Sequence, residues 1–506
     1  MTGSLHRNAL WLALALSTMP LAAAWADDAL TRAVDGMTFD QFAQKTLRDY
    51  DVPGAVVVVA SADGPVFVKG YGVRRNGAPD PVDVDTRFQI ASMSKFVAAT
   101  AVATLVDRGV VSWDQPVIGF SAATALAVPY ATENATLRDY FAHRTGLPAY
   151  GGDLLPVLGY SPDELASSAR FLPFDHSFRE KWAYSNYGIF LGQHAAAQAA
   201  GLTPPDLLAT AIFRPLGMVR SGPTRATLFE DDNHAAAHNL DDSIMPNEDV
   251  DAFSGAGAIV STGADIARWM QMLLADGSFE GRSVLSKQAV TDIYAASMVQ
   301  GTGGPLHDPN DSAGLGCESY HFLQYRVIEK NGALNGVRTI VTLIPERRIG
   351  IAVFSNKQLT VYGEAVRAAF LERELGPSGQ DLQTEIRKQQ PLWNAVLDVP
   401  RPPADAQPLA RDLGAFVGRY ESTLYGEMTI ARSGDLLSVA IGPAAYPGRL
   451  SHWSGDTFLL TFENPDLFPG LMTFAFAPGG PTASAIDGSQ VPKSATSDFG
   501  HFARVQ

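Results

Sequence analysis

The chain has 506 residues, a formal charge of −15, 46% hydrophobic and 18% charged residues. That is too long for one ordinary core and reads as an ordered chain of two domains, not a disordered one. The acidic balance excludes nucleic acid as a partner, since phosphate binding needs a basic surface and no long Lys/Arg run supplies one.

In chain order, residues 1–26 come first. His6 and Arg7 precede an apolar run interrupted by Thr18 and Pro20, and Ala24-Trp25-Ala26 gives a small-x-small pattern ahead of Asp27 and Asp28. This is the pattern of a cleaved secretory leader, with Asp27 as the new N-terminus and a periplasmic or secreted destination. The alternative is an uncleaved anchor, which the short run and Pro20 disfavour. No later segment has the ~18 unbroken apolar residues of a membrane span.

Residues 55–60 and 66–68 read as two strands joined by the turn Ala62-Asp63-Gly64. Residues 92–107 read as a helix apolar nearly all round, which belongs in the middle of a protein, with Gly109 as its terminating residue. Further helices are expected at 188–200 and 263–274. Strands return at 326–330, 337–344 and 349–354, with a hairpin loop at 345–348, and a last helix runs from Gly363 to about Leu375. Strands at both ends of a helical block predict an α+β domain, an antiparallel sheet flanked by helices.

Pro400, Pro402, Pro403 and Pro408 then mark a semi-rigid linker. After Leu413, short runs at 428–430, 437–441, 457–462 and 472–476 alternate with Gly, Pro, Asn and Asp, which reads as a small all-β sandwich or barrel. The expected organisation is therefore a leader at 1–26, the α+β domain over 27–398, a linker at 399–412 and the all-β domain over 413–506. Cys317 is the single cysteine, so no internal disulfide supports the fold, and a buried apolar role suits it better than nucleophilic chemistry.

Three motifs carry chemistry. In Ser92-Met93-Ser94-Lys95 the i, i+3 spacing puts a serine and a lysine on one helix face. Serine needs a base to take its proton, and a lysine desolvated among apolar neighbours has a pKa low enough to serve. In Tyr184-Ser185-Asn186 the phenol, held between two ammonium groups, is expected to ionise more easily and to pass protons to and from a leaving group. Asn186 has the groups to bond both the lysine and a substrate carbonyl. In Lys330-Asn331-Gly332, on a strand, the cation can hold a substrate carboxylate or lower the phenol pKa, and Gly332 lets substrate approach closely. Alone each motif is weak, since a chain of this length contains about one S-x-x-K by chance. Read separately they are a helix-capping serine, a buried aromatic and an edge-strand lysine. The histidines are scattered and no H-E-x-x-H occurs, so neither a metal nor a cofactor is expected.

Together the three motifs resemble the serine β-lactamase and penicillin-binding-protein superfamily, class C β-lactamases and their esterase, D-aminopeptidase and peptidase relatives above all. The likeness spans about residues 39–375 and is supported by His143-Arg144-Thr145-Gly146-Leu147-Pro148 and Pro215-Leu216-Gly217-Met218. It implies a β-lactamase/transpeptidase-like fold in which Ser92 is acylated and Lys95 and Tyr184 share the proton transfers. It further implies that Asn186, Lys330, Asn331 and Asn335 contact substrate and that the backbone N–H groups of Ser92 and Ala333 form the oxyanion hole; His143 is structural by the same likeness. Asn331 departs from the Lys-Thr-Gly usual in true β-lactamases. The tail resembles a lipocalin-like domain through Gly418-Arg419-Tyr420, Tyr425-Gly426 and His452-Trp453. Such tails shape an entrance or mediate assembly, so an oligomer through the C-terminal domain is one expectation, and a cleft rim made by His452-Trp453 and Phe462-Glu463-Asn464-Pro465 is another.

The first functional reading is an exported serine hydrolase acting on a small-molecule or peptide substrate, by an acyl-enzyme with a peptide, D-amino-acid amide or ester. The alternatives are a class C-type β-lactamase and a penicillin-binding sensor that acylates without turnover. Cephalosporin hydrolysis separates the first two, and deacylation kinetics the third.

Overall fold

Helix α1 (Phe39–Asp49) opens the α+β domain behind a capping box in which Thr38 and Gln41 satisfy each other's backbone N–H. Alternation along strand β1 (Gly54–Ser61) then dresses both faces of a sheet. Val56, Val58 and Ala60 turn to one apolar cluster, and Ala55, Val57 and Val59 to another. An unbroken apolar strand is what a sheet covered on both sides requires. Strand β2 (Gly64–Gly72) follows as a hairpin. The computed structural model describes residues 33–34, 36–301, 306, 310–394, 401–462, 467, 469–490 and 499–505. The expected leader at 1–26, linker residues 399–400 and rim residues Glu463, Asn464 and Pro465 lie outside the described residues.

The helical block holds α2 (Ser94–Asp107), α3 (Asn186–Ala199) and α4 (Gly263–Leu274). Helix α2 is buried from Ser94 to Leu105, as its all-round apolar text requires. The expected helix start at Ser92 is corrected, because Ser92 lies in a 3-10 turn, Ala91–Met93, just ahead of α2. Strands β3 (Met298–Val299), β4 (Ser312–Ala313), β5 (Glu318–Phe322), β6 (Tyr325–Leu334), β7 (Val337–Ile344) and β8 (Ile349–Ser355) then complete an eight-stranded antiparallel sheet in the order β3-β4-β5-β6-β7-β8-β1-β2. Strand β8 pairs with β1, so the two ends of the domain meet in one sheet. Helix α4 covers one face, and α1 with α5 (Tyr362–Leu375) the other.

Under α5 the sheet buries an ion pair. Glu329 bonds Arg367 and accepts 2.8 Å hydrogen bonds from Tyr320 Oη and Thr342 Oγ1. A charge buried this deeply needs its counter-ion and hydrogen-bond partners.

The C-terminal domain is a closed eight-stranded antiparallel barrel: β9 (Gly418–Ser422), β10 (Gly426–Ser433), β11 (Leu436–Ile441), β12 (Tyr446–Ser454), β13 (Thr457–Phe462), β14 (Gly470–Phe476), β15 (Ala483–Gln490) and β16 (Gly500–Arg504). Phe416, Phe458 and Phe474 meet edge-to-face at centroid distances of 4.9–5.5 Å and, with Tyr420 and Phe502, fill its centre. Successive hairpins of such a barrel open at alternate ends. The end that carries the β9–β10 and β11–β12 turns seats on the first domain, where Ala444 N–H donates to the Leu158 carbonyl at 3.0 Å. Gly159 allows that approach with φ +93°, and a Cβ there would stand 2.7 Å from the Ala444 Cβ. His452 and Trp453 flank the β12–β13 turn and therefore lie at the opposite end. The expectation that they rim the cleft is corrected by this alternation.

The buried pair supplies a stability test. Arg367→Met removes the guanidinium paired with the buried Glu329 and is expected to cost about 3–5 kcal/mol in urea unfolding. Arg367→Met/Glu329→Leu should recover most of that loss; equal losses in the two variants would contradict the account.

Candidate active site

The turn that carries Ser92 is fixed from both sides. Ala91 adopts a left-handed φ of +50°, a strained value for a residue with a Cβ. Thr339 Oγ1 of β7 donates to the Ile90 carbonyl at 2.8 Å, and Ile90 N–H donates to the Ile259 carbonyl at 2.9 Å. Strand β6 runs directly beside the turn. A Cβ on Gly332 would lie 2.7 Å from Ser92 N and 2.9 Å from the Ala91 Cβ, so the position admits glycine alone.

Ser92 Oγ stands between two groups. Lys95 Nζ is 2.9 Å away, and Tyr184 Oη donates to it at 2.7 Å. Lys95 is fully buried and also donates to the Ala256 carbonyl at 2.6 Å. Burial, and then the nearby Lys330 charge, hold the Lys95 pKa well below the ordinary lysine value, with Asp153 opposing. The i, i+3 spacing thus brings the serine and lysine side chains together.

Tyr184 has its ring 4.9 Å from Lys95 Nζ and 5.1 Å from Lys330 Nζ. The expectation of an easily ionised phenol is corrected. Burial pushes its pKa up, and the opposing effects of Lys330 and the Ser92 bond do not reverse it. With Lys95 inclined to be neutral, the phenol has one strong cation beside it, not two.

The loop that holds Tyr184 is braced by His143, itself at φ +55°. The His143 carbonyl accepts Ala183 N–H at 2.9 Å, its Nδ1 accepts Ser185 N–H at 3.1 Å, and its ring lies 4.9 Å from the Tyr184 ring. His143 positions the phenol through these bonds and the ring contact.

Asn186 begins α3 behind the N-cap Ser185. Its Nδ2 donates to Asp153 Oδ2 at 2.6 Å, so the expected bond to the lysine is replaced by one to a carboxylate. Asp153 went unread in the sequence because it belongs to no motif, only to the loop that follows Gly-Leu-Pro. Its Oδ1 is buried with no hydrogen-bond partner among the described residues. Burial pushes its pKa up to about 7, against the Asn186 bond and Lys95, with Glu248 adding to the rise.

Lys330 Nζ forms an ion pair with Glu318 Oε1 at 2.8 Å, with side-chain exposures of 3% and 12%. Burial works against the Lys330 charge, but Glu318, and to a lesser degree Tyr184, outweigh it and raise the pKa. Glu318 was also unread, because only the pairing of β5 with β6 brings it to Lys330. Strand alternation puts Asn331 out of phase with Lys330 and Gly332, opposite Ile340 of the α5-side cluster. Ala333 is exposed at the edge of β6, and Asn335 opens the β6–β7 turn, where its N–H donates to Glu248 Oε2 at 3.2 Å. Cys317 is buried, and burial pushes its thiol up to about 12.

A sequence model of the beta-lactamase family matches residues 39–373. The chain belongs to that family. A model for a domain of unknown function (DUF3471) matches residues 402–492. The chain is 26% identical to an unguisins hydrolase of Aspergillus campestris, over 78% of this chain and 77% of that one. It is also 26% identical to the D-alanyl-D-alanine-carboxypeptidase/endopeptidase AmpH of Escherichia coli, over 70% and 90%. The fold matches that of an octameric penicillin-binding protein homologue from Pyrococcus abyssi with a TM-score of 0.58 at 19% identity, covering 92% of this chain and 99% of the other. This β-lactamase-family protein is thus a serine hydrolase whose distant relatives act on peptides. Among the described residues, no helix is long and apolar enough to cross a membrane, and no group of three or more His, Cys, Asp or Glu could hold a metal ion.

The raised Asp153 carboxyl makes a signed prediction. A folded pKa near 7, above the unfolded value of about 3.9, gives a contribution fully present below about pH 4 and lost as pH rises toward 7. Asp153→Asn should therefore gain on the wild type by up to about 1.4 kcal/mol per pH unit across that window. Urea unfolding at several pH values checks it; a difference independent of pH would contradict it.

Proposed function

We propose that the chain is an exported serine hydrolase that cleaves a peptide, D-amino-acid amide or ester bond through an acyl-enzyme on Ser92. One observation carries the reading: Ser92 Oγ lies within hydrogen-bonding distance of both Lys95 Nζ and Tyr184 Oη. Ser92 Oγ attacks the carbonyl carbon while neutral Lys95 takes its proton. The oxyanion is received by the backbone N–H groups of Ser92 and Ala333. Collapse breaks the bond to the leaving nitrogen or oxygen, which takes up a proton delivered by Tyr184 from the Lys95 side. Water then attacks the acyl carbon, gives its proton back through the same pair and releases the acid, restoring Ser92. Asn186 and Asn335 line the approach of substrate, and Lys330 acts through its charge.

The leader-like text at 1–26 supports export to the periplasm or beyond. The octameric state named for the Pyrococcus abyssi homologue makes an oligomer a further part of the proposal.

A fluorophosphonate probe should add its mass to the peptide that contains Ser92 and to no other serine. Ser92→Ala should abolish the label and lower kcat/KM by about 10³-fold or more. Labelling that persists in Ser92→Ala would end the proposal.

A further inference from the structure

Lys330 is where a substrate carboxylate would be expected to bind, and its charge is already matched. Glu318 lies at 2.8 Å from its Nζ, with little of either side chain exposed. A second carboxylate arriving there would meet the first in a poorly solvated setting, where like charges repel strongly. Arg338, the guanidinium farther along the same sheet edge, is committed in the same way. Its Nε donates to Glu364 Oε1 at 3.1 Å, its Nη1 to the Gly332 carbonyl at 3.3 Å, and its plane lies 4.6 Å from the Trp393 ring. Lys357 is held at 2.8 Å by Asp242.

Two carboxylates lie on the residues predicted to meet substrate. Asp153 holds Asn186 with one oxygen, and its other oxygen has no hydrogen-bond partner among the described residues. Glu248 accepts the Asn335 N–H. Asn331 stands out of phase with Lys330 on its strand, opposite Ile340.

We propose that Glu318 determines the substrate class of this site: by engaging Lys330 it disfavours substrates with a free carboxylate on the leaving group and admits amides, esters and peptide bonds whose leaving side is uncharged. The inference rests on Ser92 as the nucleophile. It sets internal or blocked peptide bonds above terminal ones that end in a free acid, and above bicyclic β-lactams, whose ring carboxylate would face the same Glu318.

Two activated esters that differ in one charge test it: N-acetyl-D-alanyl esters of 3-hydroxybenzamide and of 3-hydroxybenzoate. The wild type should show a kcat/KM about tenfold or more higher on the neutral leaving group, the scale of a like-charge penalty. Glu318→Gln should move the ratio toward the anionic ester by about tenfold or more, because Lys330 then meets the carboxylate without a competitor. Lys330→Gln/Glu318→Gln, an uncharged pair of nearly the same shape, should show no such gain. A wild-type preference for the anionic ester would overturn the proposal, and so would an unchanged ratio in a Glu318→Gln protein that melts cooperatively. If Glu318→Gln does not fold, the wild-type ratio alone decides. Failure of the underlying reading shows differently, as turnover of both esters that survives Ser92→Ala or as turnover of neither by the wild type.

Discussion

Lys95 and Lys330 both lie close to the Tyr184 ring, and among the described residues only Lys330 is in an ion pair. Lys330 is paired with Glu318, while Lys95, fully buried, has a serine hydroxyl and a peptide carbonyl as its hydrogen-bond partners. Water would solvate both ammonium groups equally. Inside the protein the unmatched one is driven toward its neutral form, and the matched one keeps its charge. That asymmetry separates a proton acceptor from a fixed cation using the same residue type twice. It also bears on Tyr184, which stays protonated and donates to Ser92 because burial outweighs the single strong cation beside it.

The rest of the domain keeps this small cluster in register. The left-handed Ala91 offers Ser92 to the end of β6, where Gly332 permits contact without a side chain. His143 and its neighbours hold the Tyr184 loop, and Asp153 fixes the amide of Asn186. The barrel bears on residues 158–160, a few positions beyond Asp153, so its seat on the first domain is mechanically close to the site wall. Its interior is filled with aromatic rings, which suits a supporting body better than a container.

Local periodicity made much of this legible in advance. Ser92 and Lys95 are three residues apart on one helical path, so their meeting follows from sequence spacing alone. The apolar run at 55–60 and the alternating text after residue 413 likewise announce a sheet covered on both faces and an all-β tail. What stayed hidden depends on pairing between distant segments. Glu318 reaches Lys330 because β5 pairs with β6, with Glu318 opposite the neighbouring Glu329, and Asp153 meets Asn186 across 33 residues of chain. The reading of Tyr184 erred by counting two cations without asking which one burial would neutralise, and the reading of His452-Trp453 erred because hydropathy does not tell which end of a barrel faces the neighbouring domain.

The ionisation of Lys95 decides whether this account holds. Protein grown with ε-¹³C-lysine gives one resonance per lysine side chain, and the Lys95 signal is identified by its loss in Lys95→Ala. Followed through a pH titration, that signal should change well below the ordinary lysine value of about 10.4, while the Lys330 signal should change above it. A Lys95 signal that titrates at the ordinary value, or that moves together with Lys330, would contradict the assignment of base and fixed cation on which the mechanism stands.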